Sequence, residues 1–154
     1  MAAINKFEWN RQLFHIFLGI AIAVLLMLGF MDRDMILIMI IAGFALSLFS
    51  KRTKLPIIYT LLKKFERKEC IEEFPGKGML FYFIGAYIAL LLFPKEIALA
   101  SIMVLALGDS ISHLFGLHFG RMKHPLSRAK FIEGTIAGFI AGFIGALVFL
   151  PWHE

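Results

Sequence analysis

Two acidic and four basic residues lie close together in the sequence, at the border of two strongly apolar segments. Asp109 lies inside the apolar run 97–119, and Glu133 lies at the start of the apolar run 132–150. The loop between the runs carries four cations, Arg121, Lys123, Arg128 and Lys130. An ionisable side chain at membrane depth costs about 3 kcal/mol on insertion scales, so it is a candidate for function. Two carboxylates and four cations at one membrane face predict a site for phosphates and a divalent metal ion.

Each carboxylate has a chemical and a structural interpretation. Asp109 and Glu133 could together hold Mg²⁺, which usually takes one or two carboxylates plus substrate phosphates. One of them could instead accept the proton of an attacking hydroxyl. Structurally, Asp109 could pair with a Lys or Arg of another helix, and Glu133 could stabilise the first turn of its own helix. We expect Glu133 to lie at a depth similar to that of Asp109, across the basic loop.

The segment that carries Asp109 offers further polar groups. His113 follows Asp109 by four residues, so the two share one helix face, with Ser112 beside them. Packing is the alternative interpretation of His113. His118 lies off that face and is interpreted as a packing or interfacial residue. A zinc site from His113, His118 and His124 is not expected, because their spacing matches no standard ligand pattern.

Two other parts of the chain supply candidate phosphate contacts. Glu8, Arg11 and His15 form one stripe of the first helix, at spacings of three and seven residues. We interpret Arg11 and His15 as phosphate contacts and Glu8 as part of a solvated face. Lys77 lies between two glycines, close to exposed backbone N–H groups of the kind that bind anions. The chain has no Walker-type glycine-rich loop, so an ordinary soluble nucleotide site is not expected.

The composition predicts an all-α integral membrane protein. Of the 154 residues, 60% are hydrophobic and only 18% are charged, whereas a soluble domain has about a quarter charged residues. A membrane span needs about 20 residues, and about 17 is the lower limit. Five apolar segments approach this length and predict about five transmembrane helices: 13–30, 35–49, 79–93, 97–119 and 132–150.

The distribution of charge predicts the orientation. All but two of the 16 lysines and arginines lie in the N-terminus, the 50–78 loop and the 120–131 loop, and the exceptions are Arg33 and Lys95. The positive-inside rule places that side, with the N-terminus and the candidate site, in the cytoplasm. The net charge of +5 therefore suits anionic membrane lipids or phosphate ligands and is not evidence for nucleic acid.

The organisation predicted for residues 1–154 is one polytopic domain. Apolar residues at helical spacing in 55–74 predict an amphipathic helix on the cytoplasmic leaflet. In the last segment Gly134, Gly138 and Gly142 recur every four residues, a spacing that lets helices approach closely. Their partner could be a helix of the same chain or, in a homodimer, a second subunit.

Several short motifs carry a resemblance to a known family. In chain order they are Glu8-x-x-Arg11-x-x-x-His15 with Gly19, Gly76-Lys77-Gly78, Leu107-Gly108-Asp109-Ser110, Gly116-x-x-x-Gly120-Arg121 and Lys130-x-x-Glu133-Gly134-Thr135. Together they resemble the CTP-dependent polyprenol kinase group of dolichol kinases, phytol kinases and CTP-dependent diacylglycerol kinases, relatives of the phosphatidate cytidylyltransferases. The Gly-Asp-Ser and Lys-x-x-Glu-Gly-Thr blocks are its most specific part.

The resemblance implies transfer of the γ-phosphate of CTP to a lipid alcohol at the cytoplasmic face, with Mg²⁺ as cofactor. Asp109 and Glu133 are then expected to be the catalytic residues and metal ligands. The expected nucleotide and phosphate contacts are Arg121, Lys123, Arg128, Lys130, Arg11, His15, Lys77, Ser110 and His113. Gln12 stands where the family often has lysine, which predicts one phosphate contact fewer. Relatives usually continue with further helices, so we expect a shortened chain, a minimal member, or one completed by a second subunit.

The preferred hypothesis is a membrane kinase that phosphorylates a dolichol-like polyprenol with CTP. A diacylglycerol kinase is one alternative. A phosphatidate cytidylyltransferase is another, in which the same charges serve but pyrophosphate rather than CDP is released. A non-enzymatic transporter or assembly subunit is the third, with Asp109 and Glu133 as proton or ion sites and the loop cations serving topology alone.

Overall fold

The computed structural model describes residues 6–53, 64–66, 71, 74–125 and 127–150, in which all regular structure is helical except for one small hairpin. The helices are α1 (Lys6–Met27), α2 (Arg33–Thr53), α3 (Lys77–Leu92), α4 (Lys95–Met103), a π-helix (Val104–Asp109), α5 (Ser110–Phe119) and α6 (Ile132–Leu147). The hairpin strands are β1 (Lys123–His124) and β2 (Ser127–Phe131). Within the described ranges, each of the five apolar segments is helical, as predicted.

Three stretches of helix are long and apolar enough to cross a membrane, namely Lys6–Met27, Arg33–Ser50 and Lys95–Phe119. The prediction of a helical chain with candidate membrane spans is confirmed at this level. The helices α3 and α6 are apolar, but they have only 16 residues each, so the predicted number of five spans and the predicted orientation stay predictions. Most of the predicted amphipathic helix at 55–74 lies outside the described residues. Within it, Phe65 stacks on Phe14 of α1 with ring centroids 4.6 Å apart.

A π-helix interrupts the third candidate span just before the candidate site. The helix Lys95–Phe119 is continuous, but Val104–Asp109 has π-helical hydrogen bonding, and Asp109 is its last residue. Wider turns of this kind are rare and frequently mark functional sites. The spacing of apolar residues does not predict the π-helix, because a single wide turn shifts the pattern of buried positions only locally.

The glycines of α6 pack against the π-helix and α5. Gly134, Gly138, Gly142 and Gly145 are all buried. A Cβ on Gly134 would overlap the Ser112 carbonyl oxygen, and one on Gly138 would overlap both the Gly108 carbonyl oxygen and the Ser112 side chain. The close packing that the glycine spacing predicts is therefore confirmed, and its partner is a helix of the same chain. A homodimer stays a prediction.

The helix α1 runs antiparallel to the span Lys95–Phe119, as its paired contacts show. Glu8 near the start of α1 contacts His113. Further along, Gly19 lies so close to Tyr82 and Ala106 that a Cβ there would overlap both side chains. The buried Tyr82 hydroxyl donates a hydrogen bond to the Ile102 carbonyl oxygen at 3.2 Å. This packing fixes the polar face of α1 against the π-helix and α5.

Candidate functional site

A small cavity with several polar residues in its lining lies between α1, the first turns of α3 and the end of the π-helix. Its volume is about 200 Å³. Its lining residues are His15, Gly78, Phe81, Tyr82, Leu105, Asp109 and Ser110. Arg11, Asp109 and Glu66 all lie within electrostatic range of His15. Three of the predicted site residues, His15, Asp109 and Ser110, therefore line this one cavity.

Asp109 also lines a second, narrower cavity, of about 40 Å³, on the side of α5 that faces the hairpin. His113 and Lys130 line it too. The position at the end of the π-helix leaves the Asp109 residue exposed rather than buried. Its carboxylate can therefore meet a ligand from either cavity. No pairing of Asp109 with a lysine or arginine is found within the described part of the chain, so the structural alternative of a buried ion pair receives no support.

Glu8 joins Arg11 to His113. The Glu8 Oε2 atom lies 2.9 Å from an Arg11 guanidinium nitrogen and 3.1 Å from His113 Nε2. The Glu8 side chain is only 18% exposed. The interpretation of Glu8 as part of a solvated face is therefore wrong, because the helix α5 packs over it. A carboxylate shared by a guanidinium and an imidazole restrains the two groups relative to each other, since such bonds are geometrically specific.

Buried polar atoms without a protein partner occur in α1, in α2 and at Ser110, which lines the cavity that contains Asp109. Among the described residues, the buried atoms Ser110 Oγ, Gln12 Oε1 and Arg11 Nε have no hydrogen-bond partner. Ser110 is 1% exposed and Gln12 is 3% exposed. Native structures leave few buried polar groups unsatisfied, so such groups call for a ligand, a water or a catalytic role. Gln12 is turned into the protein rather than toward a solvated phosphate face.

The glycine turn before α3 is held by an acid that the sequence analysis did not single out. The Glu66 carboxylate accepts hydrogen bonds from the Gly76 and Gly78 backbone N–H groups at 2.7 and 2.9 Å. Gly76 has φ +83°, a value that glycine adopts without strain. The predicted anion-binding N–H groups therefore exist, and in this structure their anion is Glu66. Lys77 itself faces an apolar groove beside α2.

Glu133 lies at the other end of α5 from Asp109. Its carboxylate accepts hydrogen bonds from the Arg121 and Met122 backbone N–H groups, both at 3.0 Å. Asp109 precedes α5, whereas Arg121 follows it, and a helix of ten residues is about 15 Å long. The expectation that both acids lie at a similar depth is therefore wrong, because Glu133 reaches back to the loop instead of along the helix. One metal ion cannot bind both carboxylates in this geometry.

The loop cations separate into different environments because the loop forms a hairpin. Lys130, on β2, lines the narrow cavity with Asp109. Lys123 lies over the Phe131 ring, 5.7 Å from its centroid, and the Arg121 side chain is exposed. The Arg128 side chain lies outside the description. Of the cations whose side chains are described, the structure thus brings Lys130 to the candidate site.

In the part of the chain that the structure describes, the candidate site offers one accessible carboxylate to Mg²⁺, that of Asp109. In the described residues, no three His, Cys, Asp or Glu side chains converge on a possible metal position. Glu8 and Glu66 are already bonded to Arg11 and to the glycine turn. Asp109 is accessible, and Mg²⁺ commonly takes one or two carboxylates and completes its shell with water and substrate phosphates. Among the described residues, Asp109 fits such a role.

The chain is similar to several curated proteins. It is 31% identical to an uncharacterized protein of Methanocaldococcus jannaschii over 95% of this chain and 73% of that protein. It is 29% identical to the CTP-dependent diacylglycerol kinase 1 of Eremothecium gossypii over 95% of this chain and 47% of that kinase. It is 32% identical to phytol kinase 1, chloroplastic, of Arabidopsis thaliana over 61% of this chain and 31% of that kinase.

The chain thus spans about half the length of the diacylglycerol kinase and less of the phytol kinase. No protein-family model matches it. No solved structure matches it either.

Proposed function

We propose that this chain, which belongs to the CTP-dependent polyprenol and lipid kinase family, transfers the γ-phosphate of CTP to the hydroxyl of a membrane lipid alcohol. The observation that carries the proposal is the position of Asp109. It is an accessible carboxylate within an apolar span, next to His15 and Ser110 in one cavity and next to Lys130 in another. A carboxylate surrounded by cationic and hydrogen-bonding groups suits phosphoryl transfer, where catalysis is mainly positioning and charge stabilisation.

In this reaction the oxygen of the lipid alcohol attacks the γ-phosphorus. A bond forms between that oxygen and the phosphorus, the bond from the phosphorus to the β–γ bridging oxygen breaks, and CDP leaves with the bond's electron pair. The hydroxyl proton goes to a base, and Asp109 is the carboxylate placed to accept it. The products are a lipid phosphate and CDP. Asp109 can serve either as this base or as the one protein ligand of Mg²⁺, which would offset phosphate charge when bound.

The phosphates are proposed to contact the groups around Asp109. His15 and Ser110 line its cavity, while His113 and Lys130 line the narrow cavity on its other side. Arg11 is paired with Glu8, which also contacts His113. Glu133 is proposed as a positioning residue, because it holds the backbone of the loop that leads to Lys130. Arg121, Lys123 and Lys77 stay proposed phosphate contacts, although they line neither cavity. Arg128, whose side chain lies outside the description, stays a proposed contact as well.

Two classes of lipid alcohol are proposed as substrates. A dolichol-like polyprenol is the sequence-based proposal, and the similarity to a phytol kinase supports an isoprenoid alcohol. The similarity to a diacylglycerol kinase, which covers 95% of this chain, supports diacylglycerol equally. The hydroxyl chemistry is the same in both cases, so the substrates differ only in the apolar part that the protein must accommodate.

The test is to follow the label from CTP in vesicles that contain the purified protein. Parallel reactions contain a dolichol-like polyprenol, phytol or diacylglycerol, with either γ-labelled or α-labelled CTP. The proposal predicts that the γ-label enters the lipid and that the α-label stays in CDP. With phosphatidate added, γ-label in pyrophosphate together with α-label in the lipid would instead identify a cytidylyltransferase. Absence of turnover with every lipid would contradict both enzymatic functions.

A further inference from the structure

Two apolar grooves lie on opposite sides of the contact between α2 and α3. The first, of about 660 Å³, is here called the Phe81 groove, and Ile41, Phe44, Phe81 and Ile84 are among its walls. The second, of about 410 Å³, is called the Leu46 groove and includes Leu46 and Phe83. Leu80 lines both grooves and meets Gly43, where a Cβ would lie 3.1 Å from a Leu80 methyl group. This contact separates the two grooves.

Of these two grooves, the Phe81 groove borders the cavity of the candidate site. Phe81 lines the groove together with Ile84, and it also lines the cavity that contains Asp109. Its side chain is 63% exposed, so the ring forms a partition between two open spaces rather than part of a packed core. The Leu46 groove shares no lining residue with that cavity.

The end of the Phe81 groove nearest the glycine turn is lined by aromatic rings and a cation. Phe44 and Phe74 contact each other there, with ring centroids 5.6 Å apart, and Lys77 lies at the same end. A hydrocarbon chain in this groove would therefore have apolar walls along its length. At Phe81 it would reach the cavity whose lining includes His15, Asp109 and Ser110.

We infer that the Phe81 groove holds the hydrocarbon tail of the lipid alcohol, with the tail passing Phe81 so that the hydroxyl lies beside Asp109. This inference rests on the proposed function, since it assigns a site to that substrate. The chemistry selects the occupant, because a lipid that ends in a hydroxyl can place its whole polar part in the cavity. The bulkier zwitterionic head group of a phospholipid would have to be buried there without matched partners, which is costly.

The first experiment fills each groove in turn. Ile84→Trp narrows the Phe81 groove one helical turn from Phe81, and Leu46→Trp is the matched control in the other groove. With Ile84→Trp we expect the KM for phytol to rise about tenfold, in the range of one or two lost hydrophobic contacts, with the KM for CTP unchanged. Geraniol, whose shorter tail needs less of the groove, should be phosphorylated as by the wild type. Leu46→Trp should leave the kinetics with phytol and with geraniol unchanged. An unchanged KM for phytol in Ile84→Trp would overturn the inference.

A second experiment does not depend on turnover. The wild-type protein in phosphatidylcholine vesicles is irradiated with a diazirine-bearing long-chain alcohol, and the labelled residues are mapped by mass spectrometry. Labelling of Ile41, Phe44 or Ile84 that excess phytol suppresses supports the inference even if no kinase activity is found. Labelling spread equally over both grooves, or labelling that phytol does not suppress, overturns it, and so does labelling confined to other surfaces. Failure of the kinase assay alone would contradict only the proposed function.

Discussion

The Glu8 carboxylate lies 3.1 Å from His113 Nε2 and joins the first turns of α1 to the middle of α5, 105 residues further along the chain. The same oxygen is 2.9 Å from the Arg11 guanidinium. The polar face of α1 is thereby held against the helix that begins with Ser110. Two proposed phosphate contacts, Arg11 and His113, thus share one acidic partner.

Replacement of Glu8 by glutamine is expected to lower kcat/KM for CTP roughly tenfold, or ~1.4 kcal/mol. The amide keeps the shape of the side chain but loses the charge that orients Arg11 and His113. The KM for CTP should account for most of the change, because positioning of phosphate contacts is affected rather than the attacking hydroxyl. Initial rates over a range of CTP concentrations measure this.

The matched control is Glu96→Gln, at an exposed residue in the first turn of α4. It should leave the kinetics unchanged. Equal effects of the two substitutions would show that the Glu8 bridge has no role in the reaction.

Replacement of Gly138 by alanine is expected to destabilise the protein by about 1–3 kcal/mol, the usual cost of overpacking. The added methyl group would overlap the Gly108 carbonyl oxygen and the Ser112 side chain, so α6 must move away from the π-helix. Thermal unfolding in detergent gives the change. Gly85→Ala on α3 is the control, since a Cβ there meets nothing within 4 Å. Gly85→Ala should be neutral or slightly stabilising. Equal unfolding temperatures for Gly85→Ala and Gly138→Ala would contradict the close packing at Gly138.

Replacement of Glu133 by alanine is expected to raise the KM for CTP several-fold without changing the Mg²⁺ concentration required for half-maximal activity. The side chain accepts hydrogen bonds from the Arg121 and Met122 backbone N–H groups, and its loss leaves the loop before Lys130 less ordered. Titration of Mg²⁺ at saturating CTP separates the two roles. A large increase in the Mg²⁺ concentration required would indicate that Glu133 is a metal ligand and would contradict the positioning role.

Much of the fold was predictable from local pattern, since apolar segments and glycine spacing depend on neighbours in the sequence. The helices, and the close approach of Gly134 and Gly138 to another helix, follow from such patterns. The π-helix at Val104–Asp109 does not. It depends on how the span packs against α6, and no run of residue types distinguishes it from an ordinary α-helix.

The sequence predicts which residues belong to the candidate site better than it predicts which of them contact each other. The sequence identifies Asp109, His15, Ser110 and Lys130 as candidates, and the structure places each of them at a cavity around Asp109. The partnership of Glu133 with the loop backbone was not predictable, because a side chain in a first helical turn can point along the helix or back to the preceding loop. The pairing of Glu8 with Arg11 could have been predicted, because the two residues are three positions apart on one helix. Nothing local indicates that Glu8 also contacts His113, or that Glu66 reaches the glycine turn.

The central claim is that Asp109 acts directly in transfer of the γ-phosphate of CTP to a lipid alcohol. The most direct measurement is the rate at which γ-label enters the lipid at saturating CTP and lipid, for the wild-type protein and for Asp109→Asn. The substitution keeps the size of the side chain but removes its charge and basicity, so the rate should fall by at least about 100-fold, as for loss of a general base. Labelling by Asp109→Asn at the wild-type rate would contradict the claim.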